Sequence, residues 1–205
     1  AKAEYHWSDD NELTLTLRAE TNEATVVNLT NHVYFNLKGE GNGNILDHNL
    51  KIYAQNYLPA TEELITTGEI ATVKETPMDF TETKLIGRDI KADFPALVNG
   101  KGYDSCWVLD GYNKGVMKQA ATLSSDASGI KVDVFTTQPG LQIYTGNWLS
   151  GCPEGKCGKS YEDYEGVAME CQALPDSPNK ANFPSAVLRP GEEYKEVIKF
   201  KFSIL

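Results

Sequence analysis

The chain has 205 residues, 40% hydrophobic and 23% charged, a balance that supports a folded core and argues against wholesale disorder. Against 19 Lys and Arg stand 29 Asp and Glu, and the net charge of −10 argues against a nucleic-acid partner or an anionic membrane surface, which both need a basic face. No stretch approaches the roughly 20 apolar residues of a membrane span.

In chain order the predicted elements are almost all strands. His6 and Trp7 fall in the first. Residues 13–17, Leu-Thr-Leu-Thr-Leu, alternate apolar and polar with period two, as a half-buried strand does. Residues 24–30 continue with β-branched side chains, and 50–54, 105–109, 118–124, 130–136, 141–145, 166–172 and 194–204 read the same way. Gly, Asn, Ser and Pro clusters at 39–44, 99–102, 124–129 and 189–191 separate them as turns. The stretch 81–94 is predicted to hold a short helical turn, and no amphipathic helix exceeds about two turns. Many strands at short spacing predict an all-β, antiparallel sandwich or barrel, a single unit over 1–205 with no repeat or linker.

Four cysteines, Cys106, Cys152, Cys157 and Cys171, are too few for a disulfide scaffold at this length. Cys152 and Cys157 share a turn-rich loop whose spacing allows a local disulfide in an oxidising compartment without requiring one. A zinc site would need a second closely spaced Cys or Cys/His pair, and there is none. Cys171 lies in an apolar run and is expected to pack as a small hydrophobe. The sequence does not separate cytoplasm from periplasm.

Of the three histidines, His6 and His48 read as structural or solvated. His32 stands in Asn28-Leu-Thr-Asn-His-Val-Tyr-Phe-Asn36, where amides, a hydroxyl and aromatics crowd one segment. Three Asn residues in a core strand need hydrogen-bond partners, so a satisfied strand end and a functional site are both open here. Glu170 sits in the apolar run Gly166-Val-Ala-Met-Glu-Cys-Gln172. By alternation Val167, Met169 and Cys171 face one side and Ala168, Glu170 and Gln172 the other, which is either solvent or a site that perturbs the carboxyl. Asp104, after Gly102-Tyr, is a strand-start turn residue or a ligand-binding one. Gln138 and Gln142 flank Pro139-Gly140 ahead of the aromatics Tyr144 and Trp148, and such amides and rings on a sheet suit a sugar, whose ring offers apolar faces rimmed by hydroxyls. There is no phosphate-cradling Gly loop, nucleophile elbow or metal-ligand spacing.

At these motifs the sequence resembles the aldose 1-epimerase (galactose mutarotase) family, nearly end to end. The resemblance rests on Val27-Asn-Leu-Thr-Asn-His-Val-Tyr-Phe-Asn-Leu37, Pro77-Met-Asp-Phe80, Ile86-Gly-Arg88, Gly102-Tyr-Asp104, Gln138-Pro-Gly-Leu-Gln-Ile-Tyr-Thr-Gly-Asn147, Glu170-Cys-Gln172, Pro175-Asp-Ser-Pro-Asn179 and Leu188-Arg-Pro-Gly191. It implies a large β-sandwich, the supersandwich, with a monosaccharide site in a cleft on one sheet and no cofactor or metal. It further implies interconversion of the α and β anomers of free hexoses, with Glu170 as base, His32 as acid, and Asp104 and Gln142 binding the sugar. A non-catalytic carbohydrate-binding module on the same scaffold is the alternative. The resemblance starts midway through the family's chain. It therefore carries the expectation that N-terminal strands, with a site Arg and a further site His, lie on a second chain. Ser105 stands where the family commonly has His.

Overall fold

Period-two alternation dominates the molecule as the sequence suggests. The computed structural model describes residues 1–156 and 158–205. Its strands are β1 Lys2–Trp7, β2 Glu12–Ala19, β3 Thr25–Val26, β4 Tyr34–Phe35, β5 Asn49–Ile52, β6 Asn56–Tyr57, β7 Ala71–Thr72, β8 Lys84–Leu85, β9 Asp104–Val108, β10 Lys118–Ser125, β11 Ile130–Thr136, β12 Gly140–Tyr144, β13 Val167–Gln172, β14 Val187–Leu188 and β15 Tyr194–Ile204. They form a seven-stranded sheet in the order β1-β2-β15-β11-β10-β5-β8, a six-stranded sheet in the order β4-β13-β12-β9-β6-β7, and the ribbon β14-β3. All pairings are antiparallel.

One apolar core joins the two large sheets. Leu15, Leu17, Val132, Val134, Ile198 and Phe200 enter it from the first, and Trp107, Leu141, Ile143, Val167, Met169 and Cys171 from the second. Phe35 meets Phe200 across the gap with ring centroids 5.2 Å apart. Burying each such side chain stabilises the fold by roughly 1.5–3 kcal/mol. Cys171 packs here as the small hydrophobe its context predicts. Cys157 lies outside the described residues, and with it any bridge to Cys152.

The strands predicted at 130–136 and 194–204 have those bounds, and the other long strands differ by a residue or two. The strand predicted at 24–30 shrinks to Thr25–Val26. Beyond it the chain leaves the ladder because side chains take over its bonding: Asn28 exchanges hydrogen bonds with the Ala173 backbone (2.9 and 3.4 Å) and Thr30 Oγ1 donates to the Cys171 carbonyl at 2.7 Å. The predicted turn within 81–94 is the 3₁₀ helix Ile86–Arg88, while a six-residue helix, α1 (Pro95–Gly100), follows it unpredicted. Such a helix is too short to show periodicity, although its initial Pro is a start signal. Among the described residues no helix is long and apolar enough to cross a membrane.

Candidate active site

The outer face of the six-stranded sheet is built by register. In β12 and β13, Gln142 pairs with Glu170 and Tyr144 with Ala168. Gln142 also pairs with Cys106 and Tyr144 with Asp104 on β9, while β4 sets Tyr34 opposite Ala168. Cross-strand partners share a face, so two adjacent rows result. Tyr34, Ala168, Tyr144 and Asp104 form one. Cys106, Gln142 and Glu170 form the other, and His32, two residues before Tyr34, falls at its end beside Glu170.

His32 Nε2 lies 3.5 Å from Glu170 Oε1. Gln142 Nε2 donates to Asp104 Oδ1 at 2.7 Å. The four residues predicted from sequence therefore converge on one cleft of about 370 Å³, which Tyr144, Trp148, Gln172 and Thr66 also line. The alternative of a solvent-facing Glu170 is set aside, since the residue is only 9% exposed. Half of the His32 side chain is exposed, so the imidazole reaches the cleft opening. Rings of His32, Tyr34 and Tyr144 pack as a triangle with centroids 5.1, 6.1 and 6.4 Å apart, which fixes the imidazole against the carboxylate.

The support is as specific as the site. Asn28 holds Ala173, Asn31 Oδ1 accepts from Val33 N at 3.1 Å, and Asn36 Nδ2 donates to the carbonyls of Gly43 and Glu165 at 2.7 and 3.1 Å. The three amides around His32 thus clamp backbone and leave the imidazole as the group free to act. On the other side, Asn147 Nδ2 donates to the carbonyls of Gly100 and Tyr103, and Thr145 Oγ1 accepts from Tyr103 N. These bonds anchor the turn that delivers Asp104. Gly102 in that turn has φ +147°, and a Cβ there would fall 2.5 Å from Asn147 Oδ1, so only glycine fits.

Burial pushes the Glu170 carboxyl above its ordinary range; His32 pulls it back, and Asp104 pushes it further up. Asp104 is likewise raised by burial, against the opposing hydrogen bond from Gln142 and the attraction of His32. Two carboxyl groups in one partly dry cleft, one beside an imidazole, form an acid–base array. His48 has no place in it. Fully buried, it accepts from Leu37 N at Nε2 (2.9 Å) and meets Asp47 Oδ1 through Nδ1 (3.1 Å), a structural role. His6 lies on the exposed edge strand β1.

Several cleft residues were not anticipated as lining it. Gln172 lies one period beyond Glu170 on the face that alternation assigns to both, while Tyr144 and Trp148 are the aromatics that the sequence already offers for a sugar. Leu58, Leu64 and Thr66 come from an irregular segment that gives no sequence signal.

The family model described as Aldose 1-epimerase matches residues 1–201. The chain belongs to the aldose 1-epimerase family. It is 43% identical over 196 residues to the galactose mutarotase of Homo sapiens, covering 96% of this chain and 55% of that one. With the aldose 1-epimerase of Escherichia coli K12 it shares 38% identity over 204 residues, 98% of this chain and 58% of the other. Among solved structures, the GalM/aldose epimerase homologue from C. elegans superposes with a TM-score of 0.86 at 27% identity, over 99% of this chain and 59% of that chain. The galactose 1-epimerase from Lactobacillus acidophilus NCFM superposes with a TM-score of 0.83 at 31% identity, over 98% and 56%. The galactose mutarotase-like fold expected from the resemblance is thereby shown. The chain spans a little over half the length of these epimerase relatives.

Proposed function

We propose that this chain carries the acid–base centre of an aldose 1-epimerase that interconverts the α and β anomers of free hexoses such as galactose and glucose. The observation that carries the reading is the 3.5 Å approach of the His32 imidazole to the Glu170 carboxylate at one end of a polar cleft. Anomerisation makes an unusual geometric demand. The oxygen that loses a proton, O1, and the ring oxygen that gains one, O5, are bonded to the same carbon. A base and an acid serving them must therefore sit side by side, and paired general acid–base work of this kind is worth about 10²–10⁴-fold for each well-placed group.

In the proposed cycle Glu170 takes the O1 proton, the O1 electrons form the C1=O1 bond, and the C1–O5 bond breaks. O5 takes a proton from His32 in its imidazolium form. The aldehyde turns about C1–C2, and ring closure on its other face runs the transfers in reverse. A desolvated glutamate is a stronger base than an exposed one, which the upward shift of Glu170 favours. Asp104, oriented by Gln142, accepts sugar hydroxyls, and the aromatic wall of Tyr144 and Trp148 suits the apolar face of a pyranose. Relatives named galactose mutarotase and aldose 1-epimerase support this choice over a non-catalytic sugar-binding module. A second chain carrying the N-terminal portion finds no support in the comparisons. The test is polarimetry of freshly dissolved α-galactose. Faster mutarotation than buffer, lost in Glu170→Gln, is expected; binding of galactose with mutarotation at the buffer rate would overturn the catalytic reading.

A further inference from the structure

Alternation along β15 puts Glu196, Ile198 and Phe200 on the core-facing side of the seven-stranded sheet. Ile198 and Phe200 belong to the central core, and Glu196 pairs in register with the core residue Leu17. A carboxylate, 8% exposed, therefore occupies a position that the strand pattern assigns to an apolar side chain. Thr137 Oγ1 donates to its Oε2 and in turn accepts from Val197 N at 2.9 Å. Glu196 Oε1 has no hydrogen-bond partner among the described residues. Burial raises the carboxyl above its ordinary range, and only the Lys114 charge and the Thr137 bond oppose that. Oε1 is not sealed off, since the buried side-chain atoms without a partner among the described residues are Ser125 Oγ and Ser203 Oγ, so it opens to accessible space.

The carboxylate faces a cavity of about 680 Å³ that shares no lining residue with the His32–Glu170 cleft. Gln138, 4% exposed, also lines it; its Nε2 donates to the Tyr194 hydroxyl at 2.8 Å, which leaves its Oε1 without a partner among the described residues. Tyr112, Lys114, Ser185 and Lys195 add further polar groups to the lining, and Pro139 and Val187 contribute apolar wall. Two open acceptors, the ammonium donors of Lys114 and Lys195 and apolar walls form a set that no simple ion satisfies. An added cation would compete with Lys114 beside Glu196, and an anion would meet Glu192, Glu193 and Glu196 in the same lining.

We propose that this cavity is a second small-molecule site, for a neutral polyhydroxylated ligand whose hydroxyls donate to Glu196 Oε1 and Gln138 Oε1 and accept from Lys114. The site stands apart from the anomerisation centre and does not depend on it. Methyl α-galactopyranoside is a suitable probe, because its locked anomeric centre cannot be turned over. Titrated into the ¹⁵N-labelled 205-residue chain, it is expected to shift the amides of 112–114, 138 and 194–196 as one saturable set. Glu196→Gln and, on the exposed loop where folding is not at risk, Lys114→Ala are each expected to weaken that set about 10-fold, the loss of one good hydrogen bond to a charged group. Both variants are expected to leave galactose mutarotation unchanged. The proposal is overturned by any of three results: no shift in this set up to about 100 mM sugar, where affinity is negligible; shifts that both variants leave intact; or saturation by methylammonium but not by the glycoside.

Discussion

On the inner face of β12 and β13, Leu141, Ile143, Val167, Met169 and Cys171 are at most 1% exposed and join the core between the sheets. On the outer face of the same strands, Ala168 is fully buried and Glu170 is 9% exposed, yet the companions there are Gln142, Tyr144, Asp104 and His32. The inner face is sealed from water, while the outer one is only partly hidden, with half of the His32 side chain exposed at the cleft opening. The inner one gains stability by transfer of apolar surface; the outer one holds carboxyl groups in a state that burial opposes. The difference teaches that burial alone does not mark a site. The mark is burial combined with carboxyl groups whose ionisation the surroundings resist.

Substitutions on the two faces should therefore separate activity from stability. The largest effect is expected for Glu170→Gln, which keeps shape and removes the proposed base: mutarotation by polarimetry should fall about 10²–10⁴-fold while the thermal midpoint holds or rises. Unfolding of this variant would break the comparison. Met169→Ala, one residue away and facing inward, should cost about 2–5 kcal/mol in urea denaturation and leave the rate per folded molecule nearly unchanged. Gln142→Leu removes the donor to Asp104. The loss of a hydrogen bond to a charged group, about 1.5–3 kcal/mol, should appear mainly as weaker galactose affinity in calorimetry.

The smallest effect concerns pH. Glu170 and Asp104 have folded-state values above their ordinary ones, so in this range the folded chain binds more protons than the unfolded chain. Their contribution is fully present below the ordinary carboxyl range and is lost as pH rises through the raised values, with a slope of at most about 1.4 kcal/mol per pH unit for each proton. Denaturation at a series of pH values should show this decline, Glu170→Gln should flatten it, and Met169→Ala should leave it unchanged. Equal slopes in both variants would place the titration elsewhere.

Legibility followed local pattern. Strands 130–136 and 194–204 were readable because long alternating runs leave one register that buries every apolar residue. Two-residue strands such as β4, β6 and β7 were not, since a single pair shows no period. His32 and Glu170 were legible as anomalies, a histidine among amides and a carboxylate in an apolar strand. The amides around His32 looked equally suited to a ligand until their bonds to backbone groups accounted for them.

The sequence by itself determined the β class, the apolar faces and the identity of the polar residues that interrupt them, because these follow from local periodicity and the cost of burying charge. Only the tertiary structure decided that the interruptions at 32, 104, 142 and 170 meet in one cleft while the one at 196 faces another cavity. Alternation says which side of a strand a residue takes. Which strands lie together is set by pairing between segments far apart in the chain, and Gln142 met Glu170 and Asp104 only once β9, β12 and β13 were in register.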